Sequence, residues 1–258
     1  MTEKENKKFA PSNIFEGMTS ISAVINSYSQ SDRRIEKIWV DSAKLKSKAP
    51  EIAFLRAKSK ELGFSIETVS TEMLDEVTVG STHGGIIAFC TDRIIPQLTV
   101  ESIEPNGFYV FLEGVEDPYN FGYTVRSLYA AGVTGIVLPP RNWMSAAGTV
   151  ARASAGTSEQ IPMFVATSDT AATLFHSQNY QILCAGIRDS VSVFEERFSY
   201  PILLVIGGEK RGISRNLLNS ADKIVRIDYG RSFRGSLCAS AAAAVLAFSI
   251  YQQNRCND

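Results

Sequence analysis

Three short segments of this 258-residue chain hold the residue types and spacings that could do chemistry. In LLVIGGEKRGISRNLL, an unbroken apolar run that includes Leu204 and Ile206 leads into Gly207, Gly208, Glu209 and Gly212, and a helical pattern follows. In open α/β sheets such a glycine-rich turn leaves backbone N–H groups free at the carboxyl edge, where ligands bind. Gly207 and Gly212 have P-loop spacing, but Ile213 and Ser214 follow, so the phosphate-gripping lysine is missing. No G-x-G-x-x-G stands after any expected strand, so nicotinamide binding is also disfavoured. The second segment is EGVEDPYNFGYTVRSLYAAG. Here Asp117 to Gly122 reads as a turn, Arg126 lies about a turn into the next helix, and both Asn120 and Arg126 can face the sheet's carboxyl edge. The plain structural alternative is that Asp117 or Asn120 caps that helix. The third, VRIDYGRSFRGSLCAS, is a strand that includes Ile227, a loop carrying Arg231 and Arg234, and then Ser236 and Leu237 opening an apolar helix. Ser236 is its candidate N-cap.

These segments need a sheet to position them. Strands are expected at 107–115, 134–140, 160–165, 180–186, 201–208 and 223–228, and helices at 124–132, 168–177, 213–220 and 236–252. Apolar strands alternating with helices argue for a parallel sheet covered on both faces. A smaller α/β pattern precedes it, with strands at 35–40, 64–69 and 84–90 and a helix at 50–63 opened by Pro50 and closed by Gly63. The proline-containing stretch between them reads as a linker. The expected division is therefore residues 1–92, a linker at 93–106, and residues 107–258. The last helix is apolar nearly all round, which calls for enclosure by its own domain or by a second copy in a homodimer.

Composition bounds the rest. Twenty-six basic residues against 27 acidic ones give a formal charge of −1, and 45% of residues are hydrophobic, as in ordinary globular proteins. Cys90, Cys184, Cys238 and Cys256 form no C-x-x-C pair, and there are only two histidines, so neither a disulfide framework nor a metal site is expected. No apolar run is long enough to span a bilayer, and the charged start MTEKENKKFAP lacks a signal-peptide core. The expected compartment is the cytoplasm. Local charge is less even. Between Arg33 and Lys60 nine basic residues, among them Arg34 and Lys37, face three acids. A second basic patch, with Arg211, Arg231 and Arg234, adjoins the glycine-rich segment. Both patches suit phosphates; the plain alternative is a solvated surface.

Taken in order, the three segments resemble the SPOUT class of RNA methyltransferases, and within it the SpoU/TrmH family of ribose 2′-O-methyltransferases. Asn120, Gly122 and Arg126 match N-x-G-x-x-x-R; Gly207, Glu209 and Gly212 match G-x-E-x-x-G after a strand; Ser236, Leu237 and Ser240 match S-L-N-x-S opening an alanine-rich helix. SAGTSEQIP (154–162) resembles the family's S-A-G-x-x-E/H segment, and THGGIIAF (82–89) resembles the end of its ribosomal-protein-like substrate-binding domain.

The resemblance implies a trefoil-knotted α/β methyltransferase domain behind a small RNA-binding α/β domain. It implies a homodimer with the active site at its interface, S-adenosylmethionine as cofactor, and structured RNA, tRNA or rRNA, as substrate. Leu204, Ile206, Gly207, Gly208, Gly212, Ile227, Ser236 and Leu237 would surround the cofactor. Asn120, Arg126, Glu209 and Ser236 would form the catalytic network, with Arg126 binding the phosphate beside the target ribose. Arg33, Arg34, Lys37, Arg211, Arg231 and Arg234 would meet RNA. Three positions depart from the family pattern: Cys238 for the usual asparagine, Asp228-Tyr229 for Pro-Met, and Ser249 for a common glutamate. Cysteine cannot replace the amide's hydrogen bonds. Two rival readings are therefore a non-catalytic RNA-binding homologue and a base-directed methyltransferase of the same class.

Overall fold

The computed structural model describes residues 13–78, 83–140, 146–209 and 211–255, so Lys210 and Cys256 fall outside it. The described residues group into two compact units, one from Met1–Ile94 with Asn142–Gln160, the other from Ile95–Arg141 with Ile161–Asp258. Among the described residues no helix is long and apolar enough to cross a membrane.

The first unit contains β1 (Ile14–Glu16), α1 (Gly17–Asn26), β2 (Ile35–Asp41), α2 (Ala49–Leu62), β3 (Ser65–Val69), α3 (Thr71–Val77) and β4 (Ile86–Cys90). Its sheet order is β1-β4-β2-β3, with β2 and β3 parallel and the other pairs antiparallel. Helix α2 carries Pro50 in its first turn and ends on left-handed Gly63 (φ 84°), where a side chain would be strained. Phe15, Ile38, Leu55 and Ala88 meet in its core.

That core also takes in Ala147 and Ala151, from a helix that the alternating pattern did not suggest. A Cβ at Gly148 of the same helix would come within 1.7 Å of the Ile14 carbonyl oxygen, so the two backbones touch and only glycine fits. Here the structure departs from a second domain running unbroken from residue 107: residues 142–160 cluster with the first unit. It also departs from a linker at 93–106. Leu98 and Ile103 are buried, and the Leu98 N–H donates to the Val165 carbonyl at 2.9 Å, so most of that stretch is built into the second unit.

The second unit contains β5 (Phe108–Glu113), α4 (Pro118–Ala130), β6 (Gly135–Leu138), β7 (Met163–Val165), α6 (Ser168–Ser177), β8 (Gln181–Ala185), β9 (Val191–Ser192), β10 (Ile202–Gly207), α7 (Arg215–Asn219), β11 (Lys223–Arg226) and α8 (Ala239–Asn254), the helix Ala147–Ala153 being α5. All seven strands are parallel, in the order β7-β6-β5-β10-β8-β11-β9. Every residue from Phe108 to Leu112 and from Ile202 to Ile206 is buried, as expected of central strands covered on both faces. At about 1.5–3 kcal/mol per buried large apolar side chain, these central strands contribute substantially to the unit's core. From β5 the chain runs outward to β6 and β7 on one side, while β10 lies against β5 on the other. The order of the sheet thus switches between β5 and β10, the place where open α/β sheets bind ligands.

Candidate active site

Strand β10 ends in the glycine turn. A Cβ on Gly208 would lie 2.1 Å from the Gly114 carbonyl oxygen, and one on Gly207 would lie 2.5 Å from the Gly212 carbonyl carbon. The turns after β5 and β10 therefore pack backbone against backbone, and the 207–212 loop folds back on itself through the Gly212 N–H, which donates to the Gly208 carbonyl at 2.9 Å. Beside them, at the carboxyl ends of β8, β10 and β11, opens a cavity of about 490 Å³. Ile206, Gly207, Gly208, Gly212, Ile227, Ser236 and Leu237 line it.

Seven of the eight residues expected around a cofactor thus meet at one cavity. Leu204 does not: it is fully buried mid-strand, two residues short of the edge. Sequence reasoning did not single out the loop after β8 (Ala185, Gly186, Ile187) or Ala242 and Leu246 of α8, which also form its walls. The glycine closing the apolar run of β8 was the available signal.

Helix α4 begins earlier than the turn-like DPYNFG suggests. Asp117 is its N-cap, with Oδ1 accepting from the N–H groups of Tyr119 and Asn120 at 3.0 Å each, and Pro118 occupies the first turn. Asn120 is consequently helical. It lines a small pocket of about 110 Å³ with Gly114, Asp117, Glu209 and Ala239. Glu209 and Ala239 border both this pocket and the large cavity, so the two adjoin.

Arg126 behaves otherwise. Six residues on, it lies roughly 240° round the helix from Asn120. It is exposed and borders neither the cavity nor the pocket. Within one chain the structure does not bring Arg126 to the site. Ser236 is on the cavity wall but is not a cap; Cys238 is the N-cap of α8. Its Sγ lies 3.3 Å from the Ser240 hydroxyl, which draws the thiol below its ordinary range, while the Glu209 carboxylate works against that shift.

The expected RNA contacts divide. Arg33 is wholly buried: Nε donates to Glu159 Oε2 at 2.9 Å and Nη1 to the Thr91 carbonyl at 2.7 Å, so it cannot meet a phosphate. Lys37 is half-buried, its ammonium 4.7 Å from the ring centroids of both Trp39 and Phe89. Arg34 is exposed and lies over the Tyr28 ring. Arg211, Arg231 and Arg234 are exposed, the first beside a further recess with Glu116 and Pro139. No cluster of three His, Cys, Asp or Glu side chains suited to a metal occurs among the described residues.

A parallel α/β sheet with a glycine-walled cavity at the carboxyl ends of β8, β10 and β11, one strand over from its switch point, and no phosphate-gripping lysine, suits a small organic cofactor. The chain belongs to the SpoU rRNA methylase family, which it matches over residues 107–248; residues 16–94 match the RNA 2′-O ribose methyltransferase substrate-binding family. It is 30% identical to the putative TrmH family tRNA/rRNA methyltransferase YacO of Bacillus subtilis, over 87% of this chain and 90% of that protein. It is 27% identical to the 23S rRNA (guanosine-2′-O-)-methyltransferase RlmB of Shewanella oneidensis, over 94% of this chain and 98% of that one. Its fold is that of an AdoMet-bound rRNA methyltransferase from Sinorhizobium meliloti (TM-score 0.77, 22% identity, covering 96% of this chain and 88% of that one).

Proposed function

We propose that this protein is an S-adenosylmethionine-dependent RNA methyltransferase that acts on ribose 2′-hydroxyls of rRNA or tRNA and works as a homodimer. The observation that carries the reading is the 490 Å³ cavity, whose walls hold residues of the first and third sequence segments, together with the adjoining 110 Å³ pocket, which shares Glu209 and Ala239 with it and holds Asp117 and Asn120 of the second. It fits an adenosyl group: Ile206, Ile227, Leu237 and Leu246 supply apolar surface, and Gly207 and Gly208 permit close approach to backbone. Glu209 puts a carboxylate on the wall toward a cationic donor, whereas the Asp228 carboxylate there is paired with Arg226, another wall residue. S-Adenosylmethionine bound there supplies an electrophilic methyl group.

The protein's part is to align a ribose hydroxyl and give its proton somewhere to go. We assign Glu209, which borders cavity and pocket, to orient that hydroxyl and accept its proton, with the Asn120 amide in the same pocket. Arg126 keeps its charge, so its role is to hold the phosphate beside the target ribose. Since it lies away from its own chain's cavity, the reading assigns it to the site of the partner in the dimer. Exposed Tyr123 and Tyr129 of α4 and Phe248 and Tyr251 of α8 support an interface there, because α4 and α8 pack together and leave these rings uncovered. The trefoil threading of the C-terminal segment, the RNA-binding role of the first unit and a cytoplasmic location belong to the same proposal. The names of the relatives favour ribose over base as the target.

Mixed dimers test it. Arg126→Ala is expected to bind S-adenosylmethionine normally and transfer no methyl group. Mixing it with inactive Gly208→Ala chains should restore transfer, since one site of the mixed dimer then has an intact cavity and a partner's arginine. Full activity of Arg126→Ala alone would overturn the assignment.

A further inference from the structure

The loop between β11 and α8 carries an aromatic pair that the cofactor cavity does not require. Tyr229 and Phe233 are tilted at 57° with ring centroids 5.6 Å apart, and Phe233 is 58% exposed. Both also line the cavity. A single exposed ring means little by itself; here two aromatic rings pack together beside the cavity. Phe233 is not loosely held. A Cβ on Gly235 would fall 2.5 Å from its Cζ and 3.0 Å from its Cε2, so the ring lies directly on the Gly235 backbone. Tyr229 braces it from another side and is itself held, its hydroxyl accepting from the Leu237 N–H at 3.3 Å. Exposed Arg231 and Arg234 flank the rings, and neither makes an ion pair among the described residues.

We infer that Tyr229 and Phe233 form a stacking platform for an unpaired RNA base beside the methylated nucleotide, with Arg231 and Arg234 holding the adjoining phosphates. The inference rests on the methyltransferase reading for what occupies the neighbouring cavity, and on its own observations for the platform. Aromatic faces next to arginines are the chemistry by which single-stranded RNA is held, since every base offers a π-face whatever its sequence. A rigid ring gains more from such stacking than a mobile one, because less freedom is lost on binding. The location matters too. A base held beside the cavity leaves the neighbouring nucleotide unstacked and its ribose able to present a 2′-hydroxyl to Glu209. The Asp228-Tyr229 pair, where the family pattern has Pro-Met, puts the brace in place.

The test compares Phe233→Leu, which keeps apolar bulk against the cavity, with Phe233→Trp, which keeps an aromatic face. Binding of a short fluorescein-labelled single-stranded RNA is measured by anisotropy, and S-adenosylmethionine by equilibrium dialysis. Stacking of one base predicts that Phe233→Leu binds RNA about 5- to 100-fold more weakly, with a far smaller change in cofactor affinity, and that Phe233→Trp binds RNA nearly as wild type does. Gly235→Ala, which displaces the ring, should weaken RNA binding in the same direction. Unchanged RNA affinity in Phe233→Leu overturns the platform. So does an equal loss of RNA and cofactor affinity, which would make the ring a wall of the cavity. If the wild-type chain takes up no S-adenosylmethionine while Phe233→Leu still loses RNA, the methyltransferase reading falls and the platform stands.

Discussion

Replacing Glu159 by glutamine would leave the Arg33 guanidinium buried without its counter-charge. The two side chains are 0% and 1% exposed and meet at 2.9 Å. The glutamine oxygen can still accept from Nε, but no charge then faces the cation beside the Thr91 carbonyl, at 2.7 Å, and the face of Phe15, 4.8 Å from the guanidinium carbon, and Nη2 is already buried without a hydrogen-bond partner. Removing one member of such a pair costs about 3–5 kcal/mol, because the surviving charge stays desolvated. Against a total stability of about 5–15 kcal/mol that is a severe loss. For a chain this long it lowers Tm by about 6–20 °C. The double variant Arg33→Met/Glu159→Leu removes both charges and should recover part of the loss, since apolar replacements of a buried pair are often neutral while the nearby Arg93 loses the Glu159 charge. Calorimetry and urea unfolding of wild type, both single variants and the double variant form the cycle. The same proteins, assayed folded, should bind RNA with wild-type affinity, because Arg33 has no surface to offer. A Glu159→Gln protein within about 0.5 kcal/mol of wild type would refute the reasoning, and so would an Arg33→Met protein that folds normally but loses RNA.

Two further outcomes follow from the site. Gly208→Ala forces a Cβ to within 2.1 Å of the Gly114 carbonyl oxygen, so it should abolish S-adenosylmethionine binding in equilibrium dialysis; unaltered binding would mean that the turns do not form the cavity wall. Cys238 is exposed and its thiol lies below the ordinary range, whereas burial pushes Cys90 and Cys184 up to about 12. Its alkylation by iodoacetamide should therefore rise with pH to a midpoint below that of a free thiol, while Cys90 and Cys184 stay unmodified until the chain unfolds. Mass spectrometry of the labelled peptides reads all three, and labelling of Cys184 in the folded protein would contradict the packing.

Much of the parallel sheet was legible because its signals are local. Helix α6 is bounded as the sequence suggested, Ser168 to Ser177, since Thr167 caps it and the apolar period is regular. The glycine turn at Gly207 and Gly208 was legible for the same reason. Helix α4 was misread at its start because Asp-Pro serves equally as a turn and as a cap followed by a first-turn proline. What escaped depended on distant partners. Strand β1 is three residues long and exists through pairing with β4, and α5 is fixed by the contact of Gly148 with Ile14. The burial of Arg33 could not be read from its basic neighbourhood, because Glu159 lies 126 residues away. Linear spacing alone lets Arg126 share the sheet edge with Asn120, whereas the rotation of helix α4 turns it away from its own chain's cavity.

The most direct measurement is transfer of tritiated methyl from S-adenosylmethionine to bulk rRNA and tRNA by the purified chain, followed by nuclease digestion and separation of the nucleosides. The account predicts label in 2′-O-methylated nucleosides and none when the protein carries Gly208→Ala. Label confined to base-methylated nucleosides, or a protein that binds both cofactor and RNA yet transfers nothing, would contradict it.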